Sequence, residues 1–210
     1  MGRERFPLSY ARRGPVREEY DTVLIVCEGS KTEPNYLNGL KSSYRLSSAN
    51  IRVTNAPGTD PLTVVEYTES IMQADDFDRA FSVFDRDGHP NFDEAVRRVA
   101  DSERGRSGTW QAITSTPCFE VWLRLHYGFS TAPIVQSRTK SAGDMAVSEL
   151  RKYLPDYAKG HTGIYEIVKE MTDAAIRNAV RLARHNQAAD ATNPATDMHL
   201  LVDYLRKLKA

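Results

Sequence analysis

Thr22-Val23-Leu24-Ile25-Val26-Cys27-Glu28-Gly29-Ser30-Lys31-Thr32-Glu33-Pro34 is the stretch that decides the architecture. Val23 through Cys27 are apolar without interruption, the signature of a strand buried on both faces. An acid and a glycine stop the run. Pro34 then opens a helical pattern, where its missing N–H is one that a helix start leaves unpaired anyway. The stretch is a strand–loop–helix unit with Glu28 at the carboxyl end of its strand, the edge where open α/β sheets hold ligands.

Working outward, residues 51–54, 80–84 and 110–114 read as three further strands. Helical patterns separate them, over 62–74 with Asp60 as N-cap and over 92–99. Another helix is expected after the fourth strand, with Thr116 as N-cap and Pro117 at its first position. Alternation of this kind predicts an α/β fold with a mainly parallel four-stranded sheet flanked by helices. Beyond residue 130 no strand pattern remains. Helices are expected over 144–154, 163–187 and 195–207, with Asn193-Pro194 as a break before the last. The organisation is then a basic arm at 1–18, an α/β domain at 19–130, and a helical region at 131–210 packed on it.

Composition sets outer bounds. Apolar residues make up 40% and charged residues 27% of the 210, with zero formal net charge. This is an ordinary globular balance, long enough for one α/β domain with an appendage. No apolar run approaches the ~20 residues that cross a bilayer, so no membrane contact is expected. The start lacks an apolar signal core, and the two cysteines, Cys27 and Cys118, lie in apolar runs. Buried thiols in a reducing, cytoplasmic setting follow. The five histidines form no ligand pattern. Charge is uneven along the chain: Arg3, Arg5, Arg12, Arg13 and Arg17 crowd the arm, where Arg12 and Arg13 could contact phosphate or simply be solvated.

The acids at strand ends carry the chemistry. Glu28 ends the first strand; Asp85 and Asp87 end the third, two residues apart and so on one side of an extended chain. Strands that pair lie ~4.8 Å apart, which would gather these carboxylates. Gathered carboxylates resist ionisation unless a cation joins them, and an all-oxygen set suits Mg²⁺ or Mn²⁺. Each acid alone could equally be a turn former or helix cap. Lys31 lies in the loop beside Glu28, where it could contact phosphate. Glu120 falls near the start of the helix after the fourth strand, as a ligand, a base, or an acid favoured by the helix dipole. Lys159, preferred to Lys140, could polarise phosphate or orient water if its segment folds over the sheet edge. His126 is expected to be a satisfied, partly buried histidine, and Phe119 and Trp122 core residues.

Cys27-Glu28-Gly29-Ser30-Lys31-Thr32-Glu33-Pro34-Asn35-Tyr36, then Asp85-Arg86-Asp87, then Pro117-Cys118-Phe119-Glu120-Val121-Trp122-Leu123-Arg124-Leu125-His126 resemble the RloB family. The AbiLii-type proteins of bacterial abortive-infection systems are similar. Asn193-Pro194-Ala195-Thr196-Asp197 and the arginine-rich arm fit the same pattern, so the likeness spans nearly the whole chain. The resemblance implies a Toprim-like fold, as in type IA and type II topoisomerases, primases and OLD-type nucleases. Glu28 matches the Toprim glutamate, and Asp85 and Asp87 match its Asp-x-Asp pair, all three as metal ligands. Glu33 falls near a second acid of the OLD-type loop, at a longer spacing. No tyrosine is marked for strand passage. The resemblance thus implies a metal-dependent nuclease in antiviral defence, acting on RNA, including tRNA, or DNA. It also implies an ABC-type ATPase partner, and the chain itself lacks a phosphate-binding Gly-x-x-x-x-Gly-Lys-Ser/Thr loop. The competing expectation is a non-catalytic regulator of that ATPase. A homo-oligomer is compatible with both.

Overall fold

A computed structural model describes residues 21–48, 50–86 and 88–208. The basic arm, with Arg12 and Arg13, lies outside the described residues, and so does Asp87. The described chain forms a five-stranded sheet of order β2-β1-β3-β4-β5. The strands are β1 (Val23–Cys27), β2 (Ile51–Asn55), β3 (Arg79–Asp85), β4 (Trp110–Thr116) and β5 (Ala195–Thr196). The first four run parallel, and β5 joins β4 antiparallel. The apolar run of β1 is wholly buried along its length, as a strand covered on both faces requires.

Period two divides the strands between two cores. Val23, Ile25, Cys27, Phe81, Val83 and Ile113 face one side. There they meet α1 (Thr32–Ser43), α5 (Glu120–Leu125), α6 (Ala142–Leu150), α7 (Ile164–Val168), α8 (Thr172–Ala189) and α9 (Met198–Lys207). Leu24, Val26, Ala80, Phe84 and Trp110 face α2 (Pro61–Ala74) and α3 (Phe92–Asp101). Within that second core the Ser82 hydroxyl accepts from Trp110 Nε1 at 3.0 Å and pairs with Thr68 Oγ1 at 2.9 Å. A short helix, α4 (Glu103–Arg106), precedes β4. Asp60 caps α2 as expected, its side chain accepting from the N–H groups of Leu62 and Thr63.

The chain leaves β1 for β2 on one side and returns past it to β3 on the other, so the strand order reverses between β1 and β3. Adjacent carboxyl ends at such a switch point leave a crevice. Three local expectations are corrected. Residues 195–196 are a strand rather than the start of the last helix, because Ser115 and Thr196 pair their hydroxyls and the Asp197 N–H donates to Thr114 O. That pairing carries β4 on to Thr116, so the next helix begins at Glu120 and not at a Thr116 cap. The expected helix over 163–187 is interrupted by a 3₁₀ turn at Lys169–Met171, and Ile167 within it is exposed. Among the described residues no helix is long and apolar enough to cross a membrane.

Candidate functional site

β1 and β3 pair with Cys27 opposite Val83, so Glu28 follows directly at the rim and its N–H donates to Val83 O. Its side chain reaches across the strand gap, where Oε2 accepts from the Asp85 N–H at 2.8 Å. The Asp85 carboxylate turns the other way along the rim. Its Oδ2 accepts from the Phe119 N–H at 3.1 Å, tying the end of β3 to the β4–α5 turn. Glu28 and Asp85 are thereby fixed side by side at the switch point.

Two further acids complete the crevice. Glu33, in the first turn of α1, folds back over the β1–α1 loop. Its carboxylate lies so close to Gly29 that a side chain there would displace Glu33 Oε2. Glu120 opens α5 and is 2% exposed, accepting from the Tyr157 hydroxyl at 2.9 Å through Oε1. Lys159 Nζ stands 3.9 Å from Glu120 Oε2. Its segment is pinned to α1: the Gly160 N–H donates to Thr32 Oγ1, and Asn35 Nδ2 donates to Gly160 O. Gly160 sits at φ +83°, with Lys31 packed where a side chain would be.

The result is a cleft of about 390 Å³ bordered by four carboxylates, Glu28, Glu33, Asp85 and Glu120, together with Lys31 and Lys159. Burial raises the Asp85 carboxyl well above the ordinary range, and Glu33, Glu28 and Glu120 raise it further. Burial likewise pushes Glu33 up to about 7, reinforced by Glu120 and Glu28 and opposed by its own backbone N–H. Burial and then Glu120 hold the Tyr157 hydroxyl protonated, so it remains a donor to that acid.

A cleft with this excess of negative charge fits a hard divalent cation in the chemistry of its donors. Among the described residues no three His, Cys, Asp or Glu side chains converge as a ready cage. Mg²⁺ asks for less, since it is commonly held by one or two carboxylates and keeps several waters.

The structure therefore brings together Glu28, Asp85, Glu120, Lys159 and Lys31. Two participants were not singled out from sequence. Tyr157 orients Glu120. His89 places Nε2 3.4 Å from Glu28 Oε1, from the turn that follows β3. Glu33, matched by the resemblance only at a longer spacing, is one of the four acids of the cleft. The Asp-Gly-His-Pro sequence at 87–90 was the available signal for a turn that returns a side chain to the rim. His126 is more deeply buried than expected and only half satisfied: Nδ1 meets Trp122 O at 3.0 Å, while Nε2 has no partner among the described residues.

The RloB-like protein family is matched over residues 23–205, from the first residue of β1 into α9. The chain belongs to that family. No curated protein and no solved structure matched it. In this RloB-like chain both cysteines are free and buried.

Proposed function

We propose that this RloB-like protein is a metal-dependent nuclease that hydrolyses nucleic-acid phosphodiester bonds. The observation that carries the reading is the convergence of Glu28, Asp85, Glu33 and Glu120 with Lys31 and Lys159 on one cleft at the strand-order reversal. Glu28 and Asp85, with Asp87, are the residues that would hold Mg²⁺ or Mn²⁺. When bound, the ion supplies charge stabilisation to a phosphoryl centre and lowers the pKa of a water. The protein's own part is positional. Asp85 and Phe119 fix the rim, Tyr157 holds Glu120, and Lys31 and Lys159 face the cleft where a phosphate's negative charge gathers. The Toprim-like reading of the Glu28 and Asp85-x-Asp87 pattern agrees with this chemistry. Service as an abortive-infection effector beside an ABC-type ATPase, on RNA or DNA, is the setting the family likeness suggests.

A second reading is favoured by one observation: both Glu28 and Asp85 accept backbone N–H bonds, as purely structural caps do. On that reading the chain is a regulatory partner without catalysis. Purified protein incubated with single-stranded RNA, tRNA and DNA in Mg²⁺ or Mn²⁺ separates the two. Cleavage abolished by Glu28→Gln and by Asp85→Asn supports the nuclease. Intact substrates in every condition, including with the ATPase added, support the regulator.

A further inference from the structure

One face of the helical region is lined with fixed cations and aromatic rings, and it begins where the cleft ends. Residues 151–160 run antiparallel beside α5. At one end Tyr157 touches Glu120; at the other the Arg124 guanidinium lies over the Tyr153 ring, 4.4 Å from its centroid. Glu120 and Arg124 are four residues apart on α5, so they share a face about one helical turn, ~6 Å, apart. Arg124 is held by a second contact, Nη1 donating to Gly128 O at 3.0 Å, and Tyr153 stacks on Tyr127 with centroids 5.3 Å apart.

The track continues onto α8. Asn178 Nδ2 donates to Leu125 O, which seats α8 against the end of α5, and the Arg181 guanidinium lies 3.8 Å over the Phe129 ring. Arg177, Arg181 and Arg184 are all exposed and spaced by four and three residues, hence on one side of the helix. Between Asp173 and Asp190 the helix carries no acid. Among the described residues none of these three arginines forms an ion pair, while Asp173 is engaged by Arg206.

In a chain of zero net charge this local excess of cation suits a partner of opposite sign. Guanidinium groups held over rings, as in Arg124 and Arg181, lose little freedom on binding, and their N–H groups suit phosphate. The exposed Tyr153 ring beside Arg124 suits a base. The geometry points to a single-stranded nucleic acid lying across Arg124, Tyr153 and the Arg177–Arg181–Arg184 side of α8 as it leaves the carboxylate cleft. This binding surface extends the nuclease reading by naming a single-stranded substrate, yet it does not require catalysis.

Fluorescence anisotropy with a fluorescein-labelled single-stranded RNA, the DNA of the same sequence and the matching RNA duplex tests it, in EDTA so that no cleavage intervenes. The triple variant Arg177→Gln, Arg181→Gln, Arg184→Gln is expected to bind single strands on the order of tenfold more weakly, with a log–log salt slope shallower by about 2, as three lost phosphate contacts predict. The double variant Arg177→Gln, Arg184→Gln leaves the Phe129 contact intact and is expected to lose most of the same affinity. Tyr153→Ala is expected to weaken single strands more than duplex. Unchanged affinity and slope in a folded double variant overturns the surface, as does equal binding of a poly-glutamate peptide. Failure of the nuclease reading alone shows differently: wild type binds with this salt slope but never cleaves on adding Mg²⁺.

Discussion

Replacing Glu33 with Gln removes a charge from a buried part of the cleft at nearly constant shape. Glu33 is 7% exposed, and burial first, then Glu120 and Glu28, raise its carboxyl from the ordinary 4.5 to about 7. In the unfolded chain the same group ionises near its ordinary value. Folding therefore favours the protonated form. The stability this contributes is complete below pH 4.5 and is lost as pH rises to about 7. At 1.36 kcal/mol per decade the loss is about 3 kcal/mol. Glu33→Gln escapes it. The variant should be more stable than wild type by about that amount at pH 8 in EDTA, and within a few tenths at pH 4.5. For a chain of this length the gain at pH 8 corresponds to a Tm rise of roughly 4–10 °C. Urea denaturation at the two pH values reads it. Equal stability differences at both, or a less stable variant at pH 8, would refute the electrostatic picture of the cleft.

Other consequences follow from single contacts. Burial lowers His126 to about 4, so its neutral form is favoured in the fold and stability falls as pH drops from 6.5 towards 4. His126→Leu should flatten that acid limb in a urea midpoint series; parallel curves would contradict it. Thr32→Val removes the acceptor for the Gly160 N–H, and hydrogen exchange in residues 155–160 should accelerate several-fold while the β1 and β3 amides hold. Asp60→Ala removes the cap of α2 and a bond from Asn91, lowering stability by about 1–2 kcal/mol in denaturant titration.

Where periodicity speaks, the sequence was legible. Val23 to Cys27 announced a doubly covered strand, and the acids at the ends of β1 and β3 became neighbours because those strands pair in register. Residues 195–196 show why short elements escape: two residues have no period, and their strand exists only through contacts to Ser115 and Thr114 some 80 positions away. The same bonds lengthened β4 and delayed α5. Glu33 entered the cleft because Gly29 lets a carboxylate lie on bare backbone, and Tyr157 reached Glu120 through a segment pinned at Thr32 and Asn35. Such distant hydrogen bonds leave no local trace. The role of Asp87 and of the arm bearing Arg12 and Arg13 falls outside the described residues.

On the proposed nuclease reading the carboxylate cleft holds a divalent cation. Titration of Mn²⁺ into metal-free protein, followed by the loss of free-ion signal in electron paramagnetic resonance, tests it without a substrate. Saturable binding by wild type, abolished or weakened at least tenfold by Glu28→Gln and by Asp85→Asn in folded protein, is the predicted result. Mn²⁺ that stays free in the wild type, or that binds both variants with undiminished affinity, would overturn that reading.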